Sequence, residues 1–218
     1  MNWKDFLSLN SDINKKLIGT HALFSPSSPS WFRYSEEDIV KRYLNSYATT
    51  VGTLVHSYAC DLISEKMKLN QKDKKHLVFE LRRHKIPMQV IDIDFIFPTV
   101  VKYVNDCIKF NMDPEVLLVY SKFCYGTTDA ISFDGDILRI SDLKTGRTHA
   151  SLEQLEAYAA LWYLYYAEDE GIDLDDIQIE LRIYQGGDIL IGKPTADDIL
   201  PRVEQIILAD NIANNMEK

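Results

Sequence analysis

The stretch Gly126-Thr127-Thr128-Asp129-Ala130-Ile131-Ser132-Phe133-Asp134-Gly135-Asp136-Ile137-Leu138-Arg139-Ile140-Ser141-Asp142-Leu143-Lys144-Thr145-Gly146 decides how this chain folds. Its midpoint, Asp134-Gly135, is a two-residue turn signal, because Asp and Gly tolerate the positive φ that tight hairpins require. The turn predicts an antiparallel hairpin with Phe133 paired to Asp136. Side chains alternate faces along a strand. Asp129, Ile131 and Phe133 then share a face with Leu138, Ile140, Asp142 and Lys144. Thr128, Ala130, Ser132, Arg139 and Ser141 take the other face. In this register Asp129 lies opposite Ile140. Asp142 sits diagonally from it, about 7–8 Å away at the backbone. A three-residue turn would instead place the two aspartates on opposite faces.

The face carrying Ile131, Phe133, Leu138 and Ile140 is apolar and expected to be buried, yet it ends in two carboxylates and a lysine. Ionised acids beside an apolar face are costly unless a cation neutralises them. A solvated hairpin accounts for Asp134 and Asp136 but not for Asp129 and Asp142. Hard oxygen donors with few nitrogens favour Mg²⁺ or Mn²⁺. Lys144, two residues beyond Asp142 on the same face, is placed to orient a water and to offset charge on a phosphate.

Outward from the hairpin, helices and strands mix. Before it, Glu115–Tyr120 is a β-rich run. Pro98 followed by Val100, Val101, Val104 and Ile108 predicts a helix with proline near its first turn. Ser25–Ser30, with two prolines and four serines, is a loop. Ser35 followed by Glu36, Glu37 and Asp38 starts a helical region that runs, with a break, to about Met67. Gly52 and His56, four apart, share a helix face there. After the hairpin, Leu152 to about Glu168 is a helix with Ser151 as its cap. Ile177–Tyr184 alternates as a half-buried strand. Gly186-Gly187 turns into the short strand Ile189–Ile191, and Thr195 opens a last helix reaching Ile212. The order predicts an α/β domain with a mixed central sheet flanked by helices. Residues 1–110 are expected to be a mainly helical N-terminal part, and 111–218 the catalytic sheet-and-helix core of one domain.

Composition narrows the class of protein. With 218 residues, 46% apolar and 26% charged, the chain suits one globular domain. No run approaches the length of a membrane span, and Met1–Phe6 lacks a secretory pattern. A cytoplasmic protein with no membrane partner is expected. Cys60, Cys107 and Cys124 show no metal spacing and fit free thiols in a reducing compartment. The net charge of −9 argues against a protein that coats nucleic acid non-specifically. Charge is uneven, however: eight Lys or Arg stand between Lys66 and Lys85, and six acids without a base between Glu168 and Asp176. The basic run is equally compatible with a solvated surface and with phosphate contact.

These residues resemble the PD-(D/E)XK nuclease superfamily in its RecB-like branch. Gly126-Thr127-Thr128-Asp129 followed by Asp142-Leu143-Lys144-Thr145-Gly146 looks like the pattern G-x-x-D … D-x-K-T-G. Gly52-Thr53-Leu54-Val55-His56 is similar to the branch's G-T-x-x-H, and Gln154-Leu155-Glu156-Ala157-Tyr158 to its Q-x-x-x-Y. The four elements span about Gly52 to Tyr158 in the family's order. The resemblance implies a restriction-endonuclease-like core with an N-terminal helical elaboration. It implies His56, Asp129, Asp142 and the Leu143 carbonyl as ligands to Mg²⁺ or Mn²⁺, Lys144 as the catalytic lysine, and Gln154 and Tyr158 as substrate-binding residues. Glu115 matches a frequent family glutamate, with a plain surface position an equal alternative. His21, His76, His84 and His149 match nothing. Three scattered cysteines cannot form the iron–sulfur cluster of some RecB-like members, and no cluster is expected. Neither a helicase motif nor a GxxxxGK[ST] loop is present.

The expectation is therefore a metal-dependent deoxyribonuclease, an exonuclease rather than an endonuclease. It would act on DNA in replication, repair or recombination, beside phage or host proteins of those processes. The basic 66–85 segment would guide the strand. Two rivals stand beside it: a catalytically silent nucleic-acid-binding module that keeps the fold, and a metal hydrolase using the same acids on a small molecule.

Overall fold

Ser35 and Asp38 close a capping box. The Asp38 amide donates to Ser35 Oγ at 3.2 Å and the Ser35 amide donates to Asp38 Oδ2 at 3.1 Å. Two orphan donors are satisfied together, and helix α1 (Glu36–Asn45) starts where the sequence predicts. The structure, a computed structural model, describes residues 22–217. His21 and the Met1–Phe6 stretch lie outside them. The chain divides into two units, Met1–Tyr47 and Ala48–Lys218. In the first, the serine–proline loop leads into a short 3₁₀ turn, Pro29–Arg33, and the Trp31 indole donates to the Ser25 carbonyl at 3.0 Å.

The second unit is α/β. Helices α2 (Ala48–Ser64), α3 (Lys74–Arg83) and α4 (Ile93–Lys109) precede strands β1 (Asp113–Val119), β2 (Tyr125–Phe133) and β3 (Ile137–Lys144). Helix α5 (Glu153–Trp162), strands β4 (Gln178–Gln185) and β5 (Asp188–Gly192), and helix α6 (Ala196–Met216) follow. The five strands form one mixed sheet in sequence order, with β3 and β4 parallel and the other pairs antiparallel. The parallel pair needs a crossover, and α5 supplies it. One layer packs Leu155 and Ala159 of α5 and Ile199 and Val203 of α6 on Leu138, Ile140, Leu181 and Ile183. Across the sheet, Val100, Tyr103, Val104 and Cys107 of α4 and Val51, Val55 and Ala59 of α2 are buried. With both faces covered, Ala130 and Ser141 are as buried as Ile140.

The hairpin register differs from the predicted one. Phe133 pairs with Leu138 and Ile131 with Ile140. The turn has moved one residue on: its centre is Gly135-Asp136, Gly135 takes φ 97°, and the Asp134 amide donates to the Ile137 carbonyl. Glycine at the first central position suits a II′ turn. The Asp134 carboxylate fixes the shift by accepting from the amides of Ile137 at 2.9 Å and Asp136 at 3.3 Å. A shift of one residue at each end preserves the faces, so Ile131 and Phe133 still join Leu138 and Ile140. It changes the neighbours, because one more step of this ladder sets Asp129 opposite Asp142 itself rather than diagonal to it.

Strict alternation fails at that same level. A Cβ at Gly126 would meet the Tyr158 ring on α5, while Ile131, five residues later, also packs on α5. The alternation of β2 therefore slips by one between them, at Asp129. On β1 the residue opposite is Glu115, with φ 52°, a left-handed conformation within a strand. Such a phase change re-aims side chains, as β-bulges do.

Three smaller differences follow local chemistry. Helix α4 begins at Ile93, because the Asp92 carboxylate accepts from the Phe95 amide at 3.1 Å, so Pro98 lies inside the helix rather than near its first turn. Leu152, not Ser151, occupies the cap of α5, with no side-chain hydrogen bond. Beyond Trp162 that helix widens to a π turn over Tyr163–Ala167. Gly186 and Gly187, at φ 60° and 81°, make the β4–β5 turn, and Thr195 caps α6, both as predicted. Among the described residues no helix is long and apolar enough to cross a membrane.

Candidate functional site

The register places an acid at the same level on each of three neighbouring strands: Glu115 on β1, Asp129 on β2 and Asp142 on β3. His56 reaches this row from α2. Its Nδ1 lies 3.2 Å from Asp129 Oδ1. One donor atom each from His56, Glu115 and Asp129 fall within 4.8 Å of one another. They line an open cleft of about 520 Å³ together with Gly52, Thr53, Ser57 and Cys60. The i, i+4 spacing of Gly52, His56 and Cys60 turns that stripe of α2 toward the acids.

Asp142 stands beside this group. It is 5% exposed. Its Oδ1 accepts from Lys144 Nζ at 2.9 Å, while Oδ2 is buried without a hydrogen-bond partner. Burial, and then the negative charge of Asp129, hold the Asp142 carboxyl above its ordinary pKa, and Lys144 offsets this only in part. His56 shows the opposite balance. Burial pushes the imidazole down, but the hydrogen bond and charge of Asp129 outweigh it, and the Leu143 backbone adds to them, so the pKa is raised. Asp129 is held in place from β3, where the Leu143 amide donates to its Oδ2 at 2.8 Å.

Lys144 also donates to Gln154 Oε1 at 3.2 Å. Gln154, on the first turn of α5, thereby steadies the ammonium at the end of β3. Tyr158, one turn further, lies flat against Gly126. A Cβ there would stand 2.8 Å from the tyrosine Cε1, so glycine is required for this approach. At Gly52 an added Cβ would meet Thr145 Oγ1 at 3.5 Å, an ordinary contact, so glycine there is not a steric necessity.

Each residue expected at the site is thus in one neighbourhood, with roles sorted by geometry. His56, Asp129 and Glu115 gather as a possible ligand set. Asp142 and Lys144 form an adjoining pair, and Gln154 and Tyr158 position the lysine and the strand edge. The Leu143 amide, rather than its carbonyl, makes the hydrogen bond to Asp129. Glu115 is the residue that sequence reasoning left undecided, since nothing in a β-rich run announces a left-handed residue. His76, His84 and His149 lie outside the cleft lining. The basic segment presents Lys66, Lys68, Lys72, Lys75, Arg82, Arg83 and Lys85 as exposed side chains, while Lys74 is paired with Asp94 and Arg83 also meets Glu80.

The donor set suits a hard divalent cation. Three carboxylates and one imidazole converge, and one carboxylate oxygen is buried with nothing to neutralise it. Compared with protein-family models, curated proteins and solved structures, the chain matches none, so geometry and chemistry carry the functional reading.

Proposed function

We propose that this chain is a Mg²⁺- or Mn²⁺-dependent deoxyribonuclease with a restriction-endonuclease-like, RecB-type PD-(D/E)XK core, acting as an exonuclease in DNA replication, repair or recombination. The observation that carries this reading is the acid row Glu115–Asp129–Asp142, in which the Asp142 carboxylate is buried, short of one partner, and paired on its other oxygen with Lys144. A chain gains nothing structurally from packing like charges at one level of a sheet, because unpaired buried charge destabilises. The arrangement makes sense where a cation completes it. His56, Glu115, Asp129 and Asp142 would hold that ion. When bound, it would supply positive charge that acidifies water and offsets charge on a phosphate.

The protein groups supply the rest. Lys144 presents an ammonium to the phosphate oxygens, where negative charge grows in the transition state. Gln154 limits the positions that ammonium takes. The Leu143 amide fixes Asp129, and Asp129 fixes the ring of His56, so the donors are organised before substrate arrives. Exposed lysines and arginines on and around α3 offer charge to the DNA backbone despite the net negative chain.

The test is degradation of labelled single- and double-stranded DNA with Mn²⁺. Wild type should cleave, and Lys144→Ala should lose at least about a hundredfold in rate. Equal degradation by both proteins would refute the assignment. Calorimetric Mn²⁺ titration separates the silent-module reading, which predicts no binding that depends on Asp129 and Asp142.

A further inference from the structure

A second cavity, of about 290 Å³, opens beside the acid row and is lined largely by aromatic rings. Phe133, Trp162, Tyr165 and Tyr166 form one wall, and Asp113, Val116, Leu118 and Ile131 form the other. Trp162 is the buried backing of that wall. Its ring centroid lies 4.9 Å from that of Phe133 and 5.7 Å from that of Tyr166. Tyr165 and Tyr166 are 49% and 41% exposed. They stand on the π turn, a distortion often found at functional positions.

The cavity and the acid cleft meet on the edge strand. Glu115 lines one, and its neighbours Asp113 and Val116 line the other. Ile131 is two residues from Asp129, about 7 Å along the strand, a distance one unstacked nucleotide covers. If a phosphodiester lies at the acid row, the group attached to the chain one nucleotide away is a base. The cavity offers what a base uses: π faces to stack on, and the Asp113 carboxylate to accept from an exocyclic amine.

We infer that this aromatic cavity binds an unpaired purine or pyrimidine base of the strand whose phosphodiester occupies the acid row, so the substrate is single-stranded or frayed at that point. A paired base cannot enter, because its faces are stacked and its hydrogen-bonding edge is engaged. This inference rests on the nuclease reading and names the form of its substrate.

The test uses the full chain carrying Lys144→Ala, without divalent metal, and fluorescence anisotropy of a short unstructured deoxyadenylate strand and of a duplex. Adding Tyr165→Ala and Tyr166→Ala should weaken single-strand binding about tenfold and leave duplex binding unchanged, while Tyr165→Phe with Tyr166→Phe retains affinity. Moving one abasic nucleotide along the strand, with both tyrosines intact, should reproduce the loss at one position only. That abasic strand should lose nothing more in the double-alanine protein. The abasic series needs no altered tyrosine, so a variant that misfolds does not spoil the test. Affinity that ignores both the tyrosines and the abasic position overturns the inference. In that case, Mn²⁺-dependent cleavage by the wild type leaves the nuclease reading standing, whereas absence of cleavage removes both.

Discussion

Replacing Asp142 with Asn is expected to make the metal-free protein more stable while abolishing its chemistry. Asp142 is nearly inaccessible, its Oδ2 has no donor, and the charge of Asp129 opposes its ionisation. Its compensation is Lys144, 2.9 Å from Oδ1, whose side chain is about one-third exposed. Asparagine keeps the shape and removes the charge. Relieving an unmatched buried acceptor returns about 1–3 kcal/mol. Losing an ion pair with a partly exposed lysine costs about 0–1 kcal/mol. The net is about 1–2 kcal/mol, or a rise in Tm of roughly 3–6 °C for a domain of this size. Thermal melts in EDTA and in saturating Mn²⁺ read the effect. In metal the order should reverse, because binding at about a hundredfold above Kd adds about 2.7 kcal/mol to the wild type alone. A variant that melts below the wild type in EDTA, or gains as much from Mn²⁺, would show that this carboxylate is not an unsatisfied ligand.

The raised pKa values of Asp142 and His56 fix a pH dependence. Both groups hold protons more tightly when folded, so the stability they add is fully present below their unfolded pKa and is lost as pH rises through the folded one. The metal-free chain should therefore resist urea better at about pH 6 than at about pH 8.5, and a His56→Gln, Asp142→Asn double variant should lose much of that slope. An unchanged slope would remove these two groups as its source. At Glu115 the left-handed backbone favours glycine, so Glu115→Gly should be about 1 kcal/mol more stable than Glu115→Ala, with calorimetry showing both weakened in Mn²⁺ binding. Equal melting of the two variants would argue against the strained conformation. Gly126→Ala should cost about 1–3 kcal/mol by driving a Cβ into Tyr158. The cost should shrink in a Tyr158→Ala background, and a double-mutant cycle that adds without coupling would contradict the contact.

The elements of the fold were legible where one local signal decided them. Ser35 before three acids, the Gly186-Gly187 pair, and Thr195 before α6 each fix a boundary through a single turn's chemistry, and the structure agrees at all three. The sequence misleads where two signals compete. Asp134-Gly135 and Gly135-Asp136 are both acceptable turn centres, and the choice between them lies in the Asp134 side chain reaching the Ile137 amide, a contact visible only in three dimensions. Pro98 reads as a helix start, yet Asp92 captures the Phe95 amide earlier and the helix continues through the proline. The burial of Ala130 and Ser141 was hidden for a different reason. Small and hydroxyl-bearing residues give no apolar signal, and it takes α4 to cover their face.

The site was legible in composition but not in arrangement. Periodicity identified Asp129 and Asp142 as carboxylates on a strand face that ought to be apolar, which is the kind of local inconsistency that marks functional residues. It assumed an unbroken pleat, and the pleat breaks at the level of those acids. Glu115 in a left-handed conformation and the slip at Asp129 occur opposite one another, so the distortion belongs to both strands. A left-handed glutamate costs about 1–2 kcal/mol, and holding three acids at one level of a sheet is electrostatically unfavourable as well. Neither term stabilises the metal-free fold. Both become intelligible together if the distortion exists to bring Glu115 and Asp129 to within one cation's reach of His56, because a regular sheet would leave neighbouring carboxylates pointing along parallel directions rather than converging.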